Sequence, residues 1–145
     1  QTKNYLKTQV QMMKVKPRSV AFFPGKFQPV HMGHIASIMK IFDDYEKIII
    51  GITSDSPNIL SLNERKNIFK SVLSRFKKFE YVFFDTSLVD IKDISTLPQF
   101  DVCVSGNQKV IDFMKKYNFK TRFLNRSKGI GYSGTEIRSI VGKKQ

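Results

Sequence analysis

The stretch "SVAFFPGKFQPVHMGHI", residues 19–35, sets the fold of this chain. It starts with a short apolar run and passes through a turn that contains Pro and Gly. It ends where Ile35, Ile38, Met39 and Phe42 begin to recur at helical spacing. This order predicts a strand, a turn and a helix.

The alternation of strand and helix patterns continues beyond this unit. "KIIIGI" at 47–52 is a continuous apolar run, typical of a strand that is covered on both faces. Ser61 and Glu64 then have the spacing of a capping box, which predicts a helix with Arg65 in its first turn. The apolar positions expected to face the core are Ile68, Val72, Leu73 and Phe76.

Three more strands are predicted, at 81–84, 101–106 and 121–124. The helix expected between the last two is marked by Val110, Phe113, Met114 and Tyr117. A second capping-box spacing predicts a short terminal helix that begins near Gly134. The pattern therefore predicts a Rossmann-like three-layer α/β fold, with a parallel sheet of about five strands and helices on both faces. Ligands of such sheets bind beyond the carboxyl ends of the strands.

Length and composition predict one globular domain over 19–145, preceded by a basic leader at 1–18 whose Leu6, Val10 and Met13 fit a short amphipathic helix. The chain carries 25 Lys and Arg against 12 Asp and Glu, a net charge of +13. Such a charge favours an anionic partner: phosphate, nucleotide or nucleic acid.

Cysteine content and hydropathy set the expected compartment. The single cysteine, Cys103, excludes an internal disulfide and favours a reducing compartment. No apolar run approaches the ~18 residues of a membrane span, so we expect a cytoplasmic protein without membrane contact. The sequence is compatible with a homo-oligomer and does not specify one.

His31 and His34 are the only histidines, and they lie three residues apart at the start of the first predicted helix. Their imidazoles can project side by side, while Gly33 allows a ligand to approach backbone N–H groups that favour an anion. Three interpretations remain open: a phosphate site, a metal pair that lacks a visible third ligand, and a pair of structural histidines.

"YSGTEIR" at 132–138 supplies a second helix N-terminus suited to phosphates, although an ordinary capping box with a solvated arginine also explains it. "SGNQ" at 105–108 lies between a strand and a helix, where it could contact a base or ribose or form a plain turn. Lys26 and Arg65 are either surface charges or ligands at the sheet edge. "GKFQP" is not a Walker loop, and no GxGxxG is present.

Taken together, these stretches resemble the nucleotidylyltransferases that carry an HxGH signature and a terminal S-x-T-x-I-R segment. "GKFQPVHMGH", "NERKNIF", "SGNQKVIDF" and "NRSKGIGYSGTEIRS" are most similar to the archaeal-type nicotinamide mononucleotide (NMN) adenylyltransferases, over about residues 19 to 140. Lys26 stands where the NMN-specific group usually has arginine. No tryptophan follows "DIKDI", where that group carries one that stacks on nicotinamide.

The resemblance implies adenylyl transfer from ATP to the phosphate of a small acceptor such as NMN, with Mg²⁺ bound to the triphosphate and pyrophosphate released. It implies no protein-bound metal site. The implied catalytic residues are Lys26, His31, His34 and Arg138. The implied nucleotide-binding residues are Pro24, Gly25, Phe27, Gln28, Gly33, Arg65, Ser105, Gly106, Asn107, Ser133, Gly134 and Thr135.

Three other functions remain as alternatives. The first is a cytidylyltransferase that uses CTP and an alcohol or sugar phosphate, although that subgroup usually reads "GTFD" where this chain has "GKFQ". The second is a noncatalytic nucleotide sensor on the same fold. The third is a basic nucleic-acid-binding module, which is disfavoured because the lysines are dispersed and no aromatic-basic motif is present.

Overall fold

Strands and helices alternate along residues 19–54 and 60–125, the part of the chain that the computed structural model describes. The strands are β1 (Val20–Gly25), β2 (Lys47–Ile52), β3 (Phe79–Phe83), β4 (Val102–Ser105) and β5 (Thr121–Phe123). The helices are α1 (Met32–Ile41), α2 (Leu62–Leu73) and α3 (Gln108–Lys116), with 3₁₀ turns at Phe42–Asp44, Leu88–Asp90 and Ile94–Thr96. The leader and the terminal helix expected near Gly134 lie outside the described residues.

The five strands form one parallel sheet in the order β3-β2-β1-β4-β5. The chain builds outward from β1 through β2 to β3, then returns to the other side of β1 with β4 and continues to β5. The predicted Rossmann-like fold is therefore confirmed. The reversal of winding between β1 and β4 creates the switch point at which sheets of this kind bind ligands.

Both faces of the sheet are covered. Successive side chains along a strand point to opposite faces, so each strand contributes to the core on both sides. Ile48, Ile50 and Ile52 pack toward α1 and α2, whereas Ile49 packs on the opposite face with the core residues of α3. One face buries Ile38 and Ile41 of α1 with Phe69 and Leu73 of α2. The other buries Val110 and Met114 of α3 with Phe22 and Cys103.

The buried face of α2 differs from the one predicted. The residues it buries are Arg65, Phe69 and Leu73, whereas Val72 is 51% exposed. The predicted stripe was right at Leu73 and wrong at Val72, because a charged residue occupies the first position of the buried stripe, which has the spacing i, i+4, i+8. Phe76 lies beyond the end of the helix and is 40% exposed.

Candidate active site

The switch point opens at the carboxyl end of β1. The pairing of β1 with β4 ends at Phe22 and Cys103, whereas its pairing with β2 continues to Gly25 and Ile52. The last three residues of β1 therefore pair with β2 alone, and the predicted site residues Pro24 and Gly25 are among them. The loop that follows leads directly into α1.

The two histidines cap the N-terminus of α1, which we call the α1 tip (His31–His34). His31 is the N-cap, and its Nδ1 accepts a hydrogen bond from the Gly33 N–H at 3.1 Å. The His34 Nδ1 accepts from the His31 N–H, also at 3.1 Å. The rings are stacked, with centroids 3.6 Å apart and planes inclined by 23°. The side-by-side geometry expected from the sequence is thus present.

This arrangement fixes which nitrogen of each ring can face a ligand as a donor. Because each Nδ1 accepts from a backbone N–H, it keeps its lone pair, and the proton of the neutral ring resides on Nε2. The first turn of α1 contains no acidic side chain. The partial positive charge of the helix end is therefore not offset by a carboxylate of that turn, which suits an external anion.

Phe27 packs between the α1 tip and α2. Its ring packs edge to face against His34, with centroids 4.8 Å apart, and against Phe69 of α2, at 4.7 Å. Its φ of 52° lies in the left-handed region, which costs a non-glycine residue about 1 kcal/mol. Gly25 must remain small, since a Cβ there would lie 2.7 Å from the Phe27 ring.

Arg65 is 1% exposed and lies beneath the loop that carries Lys26. Its Nη1 donates to the carbonyls of Lys26 and Thr53, both at 2.6 Å, and its Nε donates to the Ser61 carbonyl at 3.2 Å. We call this set of contacts the carbonyl clasp. Hydrogen bonds of this kind offset the large cost of burying a charge.

Further polar contacts tie the same segments together. The buried Gln28 accepts through Oε1 from the Leu60 N–H at 3.1 Å. Thr53, which is also buried, donates its N–H and its Oγ1 to the Gly25 carbonyl, at 3.1 and 3.2 Å. The roles of Thr53 and Leu60 were missed by sequence analysis. The available signal was a polar residue directly after a buried strand.

The β4–α3 turn holds the second group of predicted residues at the same edge of the sheet. Ser105 is buried at the end of β4, and its Oγ accepts from the Asn107 N–H at 3.1 Å. Asn107 caps α3 by accepting from the Lys109 N–H at 3.0 Å. Gly106 lies between them, so this turn borders the switch point on the β4 side.

The structure thus brings most of the predicted residues to one edge of the sheet. Pro24 and Gly25 end β1 and are followed by the loop at 26–28, His31 and Gly33 begin α1, and Ser105 ends β4 just before Gly106 and Asn107. The predicted ligands Ser133, Gly134, Thr135 and Arg138 lie outside the described residues. Their convergence with the α1 tip stays a prediction.

Cys103 has no features of a catalytic nucleophile. It is fully buried in β4, and burial raises the pKa of its thiol to about 12. Within 19–54 and 60–125, no three His, Cys, Asp or Glu side chains are grouped so that they could hold a metal ion. None of the helices in those ranges is long and apolar enough to span a membrane.

The sheet order and the switch point place this chain in the class of Rossmann-like α/β proteins. In that class, ligands bind beyond the carboxyl ends of the strands, at the switch point. The chain belongs to the cytidylyltransferase-like family, whose sequence profile matches residues 22–140. This membership confirms the expectation of a nucleotidyltransferase that the HxGH signature raised.

Curated relatives cover most of the chain. It is 32% identical over 136 residues to the nicotinamide-nucleotide adenylyltransferase of Methanococcus vannielii, which covers 85% of this chain and 77% of that protein. It is 31% identical over 137 residues to the enzyme of the same name from Methanosarcina mazei, covering 86% and 79%. The phosphopantetheine adenylyltransferase of Vesicomyosocius okutanii is 30% identical over 102 residues, covering 69% and 63%.

Solved structures share the fold at lower identity. A bifunctional NMN adenylyltransferase/ADP ribose pyrophosphatase of Francisella tularensis, complexed with AMP and a Mn ion, superimposes with a TM-score of 0.64 at 19% identity. The match covers 88% of this chain and 42% of that one. NadR protein in complex with NAD and AMP-PNP gives a TM-score of 0.61 at 14% identity, with 87% and 43% covered. This chain spans less than half of either neighbour.

Proposed function

We propose that this protein transfers the adenylyl group of ATP to the phosphate of NMN, forming NAD and releasing pyrophosphate. The observation that carries the proposal is the α1 tip, where two Nε2–H donors meet a helix end without an acidic side chain in its first turn. The family match and the two archaeal relatives named for this reaction support it.

The reaction requires alignment and charge neutralisation more than proton transfer. The NMN phosphate is already ionised at neutral pH, so it attacks the α-phosphorus without a general base, and the bond to pyrophosphate breaks. His31 and His34 would donate from Nε2 to the oxygens on which charge develops, and the Lys26 ammonium would neutralise the phosphates. Residues Ser133, Thr135 and Arg138 would hold the β- and γ-phosphates, as the family resemblance implies.

Magnesium enters this proposal as part of the substrate, the MgATP complex. Mg²⁺ in phosphoryl-transfer sites is commonly held by phosphate oxygens and water, and it needs no protein cage. The Mn ion in the Francisella tularensis structure supports a divalent cation without specifying magnesium.

A second candidate acceptor is phosphopantetheine. The Vesicomyosocius okutanii relative acts, by its name, on that substrate and matches at an identity close to that of the archaeal relatives. The absence of tryptophan from this chain also removes the nicotinamide-stacking residue expected for an NMN enzyme. Both acceptors present a phosphate to the same α-phosphorus, so the nucleotide half of the mechanism is unchanged.

The test is a matrix of two nucleotides and three acceptors, read as pyrophosphate release and as product by chromatography. ATP and CTP are each combined with NMN, phosphopantetheine or glycerol phosphate in the presence of Mg²⁺. We expect NAD and equimolar pyrophosphate only from ATP with NMN. Turnover with another acceptor alone would overturn the NMN assignment and keep the enzyme class. Tight ATP binding without any pyrophosphate release would instead favour a nucleotide sensor.

A further inference from the structure

We propose that Arg65 is a positioning residue of this site, and that its buried guanidinium sets the placement of the α1 tip through the loop that carries Lys26. The inference deepens the proposed function and rests on it for the nucleotide reaction. The family resemblance implies that Arg65 binds the nucleotide. Its burial and its backbone contacts indicate that it acts through other residues.

The carbonyl clasp joins three segments that meet at the carboxyl edge of the sheet. The Lys26 carbonyl belongs to the β1–α1 loop, the Thr53 carbonyl follows the end of β2, and the Ser61 carbonyl belongs to the N-cap of α2. One planar guanidinium therefore sets the spacing between the loop and two elements of the scaffold. Arg suits this role because its donors are fixed in a fork, whereas Lys offers a single flexible point.

From the clasp, a short series of contacts reaches the histidines. The Lys26 carbonyl immediately precedes Phe27, whose backbone is held at a φ of 52°. The Phe27 ring then contacts His34 edge to face, and His34 stacks on His31. A shift of the Lys26 carbonyl would therefore move the ring on which His34 rests. The same carbonyl also fixes the backbone from which the Lys26 side chain starts.

Lys78 provides a matched control for Arg65. Like Arg65, it donates to backbone carbonyls, in this case those of Phe42 at 2.6 Å and Tyr45 at 2.9 Å. These lie after the C-terminal end of α1, opposite the α1 tip. Removing the Lys78 contacts should therefore loosen the scaffold without moving the histidines.

The experiment compares Arg65→Lys with Lys78→Met in two measurements on the untagged full chain. The first is the NMR chemical shift of the His34 ring protons, which report the nearby Phe27 ring and require no turnover. The second is the steady-state kinetics of pyrophosphate release from ATP and NMN. We expect both variants to unfold at lower temperature than the parent.

Only Arg65→Lys should shift the His34 signals and lower kcat, by about 10-fold to 100-fold, because a small misplacement of catalytic groups costs that much. The KM for ATP should change by less than kcat does. A folded Arg65→Lys variant with parental His34 shifts and kcat would overturn the positioning role. A raised KM with unchanged kcat would instead identify a direct ligand. If that variant does not fold, Arg65→Gln donates from a neutral amide and decides the question by the same two measurements.

The two hypotheses can fail separately. If the parent protein releases no pyrophosphate with any acceptor, the proposed function fails. The His34 shifts of the variants still show whether Arg65 places the α1 tip.

Discussion

The N-termini of α1 and α2 are built on the same hydrogen-bonding plan with different chemistry. At α2, the Ser61 hydroxyl accepts from the Glu64 N–H, and the Glu64 carboxylate accepts from the Ser61 N–H. At α1, the His34 Nδ1 likewise accepts from the His31 N–H, and the His31 Nδ1 accepts from the N–H of Gly33. Both ends are capped, yet only α2 carries a carboxylate in its first turn.

The difference shows how a helix end can be capped without a negative charge. The Glu64 carboxylate places its negative charge at the positive end of the α2 dipole. The imidazoles cap α1 without adding negative charge, and each neutral ring has a proton on its outer nitrogen. The α1 tip is therefore suited to receive phosphate oxygens, whereas the start of α2 is not.

The largest effect should come from converting the α1 tip to the chemistry of α2 with His31→Ser and His34→Glu together. We expect the free energy of unfolding to stay within about 1 kcal/mol, because a capping box is retained. Turnover should fall by at least about 10³-fold, since donors are lost and a carboxylate repels the triphosphate. Chemical denaturation and pyrophosphate release measure the two quantities. Activity within tenfold of the parent would mean that the α1 tip does not hold the triphosphate.

A smaller effect is expected when one residue of each capping box is replaced and the two variants are compared. His34→Ala and Glu64→Ala each remove the third helical residue from a capping box, and each should cost about 1 kcal/mol of stability. Only His34→Ala should also lower kcat, by about 10²-fold to 10³-fold, because it removes a donor to the developing charge. Equal kinetic losses in both variants would attribute the effect to helix stability alone.

The smallest effect is a spectroscopic one, measured first on the parent protein. It is the position of the proton on each histidine ring. Because the chain contains only two histidines, long-range ¹⁵N–¹H correlation spectra should show two imidazole patterns. Above neutral pH we expect both neutral rings to carry the proton on Nε2. Glu64→Ala should leave both patterns unchanged. A proton on Nδ1 of either ring would contradict the imidazole capping box.

The fold was predictable because the buried strands appear in the sequence as short continuous apolar runs. The isoleucines at 48, 49 and 50 are typical of a strand covered on both faces, and the structure buries all three. The phase of α2 was not predictable from hydrophobicity, because Arg65 lies on its buried face. A charged residue is hidden from a pattern of apolar positions, and only tertiary contacts with backbone carbonyls reveal its place.

The position of the site was predictable in part for a similar reason. His31 and His34 were expected three residues apart at the start of the first helix, and the structure places them there. Their capping role was not expected, since Ser, Thr, Asp and Asn dominate N-caps. The carbonyl clasp depends on Thr53 and Lys26, which are distant in sequence from Arg65 and meet it only through the crossover.

The central position of β1 also has a consequence for synthesis of the chain. One edge of β1 pairs with β2, which follows it closely in the sequence. The other edge pairs with β4, which begins only at Val102 and is therefore synthesised much later. Until the ribosome has delivered that segment, a nascent chain exposes a hydrophobic strand edge of the kind that recruits other chains. Chaperone binding during translation should therefore be strongest before β4 emerges and should decline once it docks.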